Sequence, residues 1–203
     1  MRRPVSPPSV PWTITFADMA LLLLCFFVML SALSPKIATD AEPTTPVSTQ
    51  TEPRAAADAA ALLRNQFATE IDQGWLVVDQ ADSTLHLRFG TADAFDLGSD
   101  RLTPLTLSLI DALANALRDS KAHVVVAGHT DDLPISTERF RDNWDLSTAR
   151  AVSVIRELVN RRGVDPARLE AKGYADTRPL MPNDSATSRA QNRRIDIEIT
   201  WAH

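Results

Sequence analysis

The chain has 203 residues, 44% hydrophobic and 23% charged, with a formal net charge of −5, enough for one modest domain beside a long helix. An acidic chain with dispersed basic residues lacks the positive stripe that phosphate binding needs, which excludes nucleic acid as a partner. Its single cysteine, Cys25, excludes an intrachain disulfide, and the scattered His86, His123, His129 and His203 lack metal-ligand spacing, so no metal or cofactor is expected.

Residues 1–11 carry Pro4, Pro7, Pro8 and Pro11 and read as a short cytoplasmic lead. Residues 12–34 are an apolar run that, as a helix, is long enough to cross a hydrocarbon core of about 30 Å. Its one charge is Asp18. A carboxylate near the centre of a span costs roughly 2.5–3.5 kcal/mol, so the expectation is an ion or proton site shared with another membrane subunit. The alternative is an Asp held by an interhelical hydrogen bond. Helical steps from Asp18 pass Leu22, Cys25, Met29 and Ala32, one seam with small residues where a second helix can approach. Arg2 and Arg3 precede the run and only Lys36 follows closely, which places the N-terminus in the cytoplasm and the rest outside, as a single-pass protein. A cleaved leader is disfavoured by the length of the run and by Asp18, and a lipoprotein by Leu24 before Cys25.

Residues 35–54 are rich in Thr, Pro, Ser and Glu and read as a disordered linker; eight of the 13 prolines fall before residue 55, so composition changes sharply there. From 55 to 203 the pattern is that of a folded domain. Ala55 to Ile71 carries Leu63, Phe67 and Ile71 at helical spacing. Trp75 to Val78 and Thr84 to Phe89 read as strands, and Thr103-Pro104 starts a helix with Leu105, Leu109, Leu113 and Ala116 on one face. His123 to Ala127 predicts a central strand, Leu146 to Arg161 a helix stopped by Gly163, and Arg168 to Ala171 another strand. Ile195, Ile197, Ile199 and Trp201 alternate with polar residues in the last. Interleaved strands and helices give an α/β (α+β) domain with helices packed on one mixed sheet.

Polar groups cluster between the third strand and the next helix, which is expected to begin near Asp145 or Ser147. Asp131 follows the strand end and Arg150 lies in the first turns of that helix, so both can border one pocket. A carboxylate there receives an ammonium, and a guanidinium receives a carboxylate, which suits a zwitterionic ligand. Equally open on spacing alone is a salt bridge between Asp131 and Arg150.

Gly128-His-Thr130-Asp131-Asp-Leu-Pro-Ile, Asn143-Trp-Asp-Leu-Ser147-Thr-Ala-Arg150-Ala, Gly173-Tyr-Ala-Asp-Thr-Arg-Pro and Asn192-Arg-Arg-Ile-Asp-Ile resemble the peptidoglycan-binding OmpA-like domain of flagellar motor stator B subunits, MotB and its sodium-type relative PomB. Separately, Thr15-Phe-Ala-Asp18 and the apolar residues after it resemble that family's membrane span. The resemblance implies an ion-carrying role for Asp18, with H+ or Na+ as the translocated ion. It implies that Asp131 and Arg150 hold the diaminopimelate centre of the wall peptide, with Thr130, Asn143 and Ser147 as pocket or capping residues. Asn192, Arg193 and Arg194 match the family's closing motif, for which a fold-stabilising role is read here, with ligand contact the alternative. A polytopic A-type subunit, peptidoglycan and a second B chain are the implied partners, at the bacterial inner membrane with the domain in the periplasm. The segment after the span is short and Pro-rich where the family has a plugging helix. That departure keeps open a non-flagellar ion-driven machine, such as a stator-like anti-phage defence complex, or a passive membrane-to-wall tether. No catalytic site is expected: Asp131, Asp132 and Glu138 supply carboxylates of the kind a glycosidase uses, but nothing else in the sequence points to cleavage.

Overall fold

A computed structural model describes residues 12–33 and 51–201, which fall into two units, one within residues 1–47 and one within 48–203. In the first, the expected span is a single helix, α1 (Trp12–Leu33), 22 residues long. Side chains are described from Phe16 to Met29, all of them exposed, and this stretch rises only about 21 Å. Among the described residues no helix is long and apolar enough to cross a membrane. The lead at 1–11, residues 34–50 of the linker and the question of a plug there lie outside the described residues.

The second unit opens with α2 (Thr51–Gln66), four residues earlier than Ala55, because Pro53 sits in its first turn, where a missing N–H costs no intrahelical bond. The expected Ala55–Ile71 helix breaks at the buried Phe67, and the chain continues as the one-turn α3 (Ala68–Asp72). The antiparallel pair β1 (Leu76–Ala81) and β2 (Thr84–Gly90) follows, then the short α4 (Thr91–Ala94). Thr103 caps α5 (Pro104–Leu117), accepting from the Thr106 N–H, as the Thr-Pro pair predicts. Next come β3 (His123–Gly128) and α6 (Asn143–Arg162), which ends on Gly163 in the left-handed region at φ 66°. A 3-10 turn (Pro166–Arg168), β4 (Leu169–Gly173), α7 (Ala186–Asn192) and β5 (Arg194–Thr200) complete the unit.

The sheet order is β1-β2-β5-β3-β4, with β3 and β4 parallel and the other pairs antiparallel, so the expected mixed sheet is present. Leu76 and Val78, Leu85, Leu87 and Phe89, Ile195, Ile197 and Ile199, and Val124 and Val126 turn to one face and are buried there. Leu63 of α2, Leu109 and Leu113 of α5, and Ala151, Val154 and Leu158 of α6 close the same core. The opposite face carries the alternating polar positions, among them Asp79, His86, Arg88, Asp196 and Glu198. On it Arg88 meets Asp196 at 2.8 Å across the β2–β5 pair.

One close approach fixes where α6 enters. Gly128 and Gly173 are register partners at the ends of β3 and β4. A Cβ on Gly128 would lie 2.1 Å from the Ser147 carbonyl oxygen, and one on Gly173 would lie 2.1 Å from Thr148 Oγ1. Two adjacent glycines let the first turns of α6 lie directly on the strand ends.

Candidate functional site

The chain leaves β3 as His129-Thr130-Asp131, held by the Thr130 N–H donating to Ala175 O at 2.9 Å and the His129 N–H to Arg194 O at 3.0 Å. Asp142 caps α6 by accepting from the Asp145 N–H at 2.9 Å, which starts the helix at Asn143, ahead of the expected Asp145 or Ser147. Asn143, Leu146 and Arg150 then recur along one helix face. They border a pocket with Thr130, Asp131 and Leu133 from the loop after β3, with Phe95, Leu97 and Gly98 after α4, and with Arg193 ahead of β5.

Asp131 and Arg150 share this pocket, and each is 6% exposed. They form no ion pair with each other, so the direct salt bridge left open by their spacing is absent. Asp131 Oδ2 instead accepts from Arg193 Nη1 at 2.6 Å, while Oδ1 accepts from the Leu133 N–H at 3.3 Å. Arg150 Nε donates to Ser99 O at 3.0 Å, and its guanidinium lies 5.0 Å from the Phe95 ring centre. Burial, with the Arg193 charge beside it, lowers the Arg150 pKa to about 10 against the pull of Asp100 and Asp131. It stays protonated at neutral pH, a cation taken out of water with no carboxylate in direct contact.

The other expected residues divide. Thr130 is buried and donates from Oγ1 to Asp131 O at 2.9 Å. Asn143 Nδ2 donates to Leu133 O at 2.9 Å and Asp131 O at 3.3 Å, pinning the loop. Ser147 is fully buried and away from the pocket lining; its Oγ accepts from the Ala175 N–H at 3.1 Å and donates to Trp144 O at 3.2 Å. It ties α6 to the turn after β4.

The closing motif also divides. Asn192 is fully buried with four hydrogen bonds, to Leu180 N, Met181 N, Met181 O and Asn183 Oδ1, and Arg194 reaches Asp196, Arg178 O and Asn192 O. These bonds tie the motif to the segment 178–183 and to β5. Arg193 faces the pocket and pairs with Asp131. A sequence signal for this exists, since extending the period-two pattern of β5 back past Ile195 puts Arg193 on the opposite side from Asn192 and Arg194.

On the sheet face opposite the core Asp196 accepts from Arg88 and Arg194 and lies 3.4 Å from His129 Nε2. Burial would raise its pKa; the His129 and Arg88 hydrogen bonds and the charges of Arg194 and Arg88 overcome this and hold the carboxyl below its usual range.

Comparison with known proteins matches residues 94–193 to the OmpA family and residues 2–41 to a family described as membrane MotB of the proton-channel complex MotA/MotB. In the solved structure of the cell wall anchor of the T6SS from Pseudomonas aeruginosa, the matched region is 34% identical with a TM-score of 0.63, covering 69% of this chain and 97% of that one. The chain belongs to the MotB-like proteins with an OmpA-like domain. Motility protein B of Helicobacter pylori strain J99 is 26% identical over 94% of the chain and 86% of its own length. The uncharacterized protein YtxE of Bacillus subtilis is 29% identical over 96% and 90%. These families are structural or peptidoglycan-binding rather than enzymatic, in agreement with the expectation from the sequence.

Proposed function

We propose that this MotB-like protein is the B subunit of an ion-driven stator, working in flagellar motility. Its α1 spans the inner membrane once with Asp18 as the ion-binding group, and its periplasmic domain holds peptidoglycan through the Asp131, Arg150 and Arg193 pocket. The observation that carries this reading is the joint match, in one chain and in order, of a MotB membrane segment and an OmpA domain whose pocket has buried charges of both signs. The span is supported by the sequence, where residues 12–34 form an apolar run of the length that a hydrocarbon core of about 30 Å requires, and by the MotB match over residues 2–41. A buried guanidinium without a carboxylate contact favours a ligand that brings one, and Asp131 favours a ligand that also brings an ammonium; the diamino acid of the wall peptide offers both. A polytopic A-type partner and a second B chain complete the assembly in this reading. Because the matching family is described for a proton channel, we take H+ as the ion, with Na+ the alternative.

A second reading, the anchor of another membrane machine, is favoured by the similarity to the T6SS cell wall anchor. Asp18→Asn in the full chain separates them. A stator subunit with that change assembles with its A-type partner but passes no ions and turns no motor, because the amide cannot cycle between charged and neutral forms. Unchanged output in the Asn variant would reject the ion-carrying role and leave the tether.

A further inference from the structure

Above the charged floor of the pocket stands a rim of different chemistry. Leu97 is fully exposed at the tip of a tight turn, in which the Ser99 N–H donates to Asp96 O at 3.0 Å and Gly98 takes φ 63°. Leu133, from the loop after β3, lines the same pocket and is 55% exposed, and Pro134 and Ile135 follow it in the lining. Single exposed leucines are ordinary on a protein surface. Here apolar residues from two separate loops converge on one opening.

The floor holds the rim in place. Asp131 Oδ1 accepts the Leu133 N–H at 3.3 Å, and Asn143 Nδ2 donates to the Leu133 carbonyl at 2.9 Å, so this leucine's backbone is tied on both sides to residues of the pocket. From α6, Arg150 Nε donates to Ser99 O at 3.0 Å and anchors the turn that carries Leu97. The side chains that supply the charge thus also set the separation of the two leucines.

We infer that Leu97 and Leu133 form an apolar clamp for the wall peptide beside its diamino acid, reading the aliphatic groups of the residues joined to it, the alanine methyl among them. This rests on the peptidoglycan-binding reading above. The occupant follows from charge complementarity: a floor with two guanidiniums and one carboxylate takes a ligand rich in carboxylate with one free ammonium. The rim then meets what such a ligand carries next to its charges, short aliphatic groups. Contact with Leu97 removes apolar surface from water on both sides without placing any polar group against it.

Calorimetric titration of the full chain in detergent tests the clamp with two probes, free meso-diaminopimelate and the stem tetrapeptide ending in diaminopimelate and D-alanine. Leu97→Ser, at a fully exposed site, is expected to leave the affinity for free diaminopimelate within twofold and to weaken the tetrapeptide three- to tenfold; Leu133→Ser should do the same. Equal tetrapeptide affinity in the unaltered protein and both variants would overturn the clamp while leaving the floor intact. If the unaltered protein binds neither probe, the peptidoglycan-binding reading itself fails.

Discussion

The pocket floor carries two guanidiniums and one carboxylate within a few side chains of each other, and the cluster holds together because Asp131 is shared. Its carboxylate neutralises Arg193 and at the same time fixes the Leu133 loop, so a ligand ammonium can take the place of Arg193 without releasing the loop. Asp196, on the sheet face opposite the core, holds Arg88 and Arg194 together and bears on stability. Its folded-state pKa lies below the ordinary value of 3.8, so its stabilising contribution is complete above that pH and is lost as pH falls through the folded value. Urea-denaturation midpoints are therefore expected to fall as pH drops below about 4, and Asp196→Asn should flatten that slope while lowering stability at neutral pH. A slope unchanged by the substitution would show that other carboxylates govern acid unfolding.

Among the elements, α6 does most to build the pocket, and its position depends on two residues without side chains. A methyl group added at Gly128 would lie 2.1 Å from the Ser147 backbone, so Gly128→Ala must push the helix off the strand end. We expect a loss of about 1–3 kcal/mol in thermal or urea unfolding, the usual cost of overpacking, with weakened peptide binding because Arg150 moves with the helix. Full stability in the Ala variant would mean that the helix has room to shift. The order of strands and helices is legible in the sequence because its signals are local: the alternation of Ile195, Ile197 and Ile199, the Thr103-Pro104 cap and the Gly163 stop each act within a few residues. The apolar pattern puts the start of α6 too late, because the capping residue, Asp142, lies outside that pattern. Asp131 and Arg150 are legible as pocket residues, but not their partners. Arg193 lies 62 residues from Asp131, and Ser147 binds the Ala175 N–H 28 residues away, contacts that only the folded sheet creates.

At the scale of the molecule, one chain joins a helix with a single carboxylate to a domain with a charged pocket, and each matches a family of its own, MotB for residues 2–41 and OmpA for residues 94–193. The proposed function needs both. In that function, tension between membrane and wall would pass through the pocket, so the identity of its ligand is a more direct test than any property of the helix. Wall preparations whose third stem residue is diaminopimelate differ from those with lysine there by one carboxylate, the group assigned to Arg150 and Arg193. Co-sedimentation of the full chain in detergent with both kinds of wall is the measurement. The account predicts retention on diaminopimelate walls, at least tenfold weaker retention on lysine walls, and loss on both for Arg150→Ala. Equal retention on the two walls by the unaltered protein, undiminished in Arg150→Ala, would contradict it.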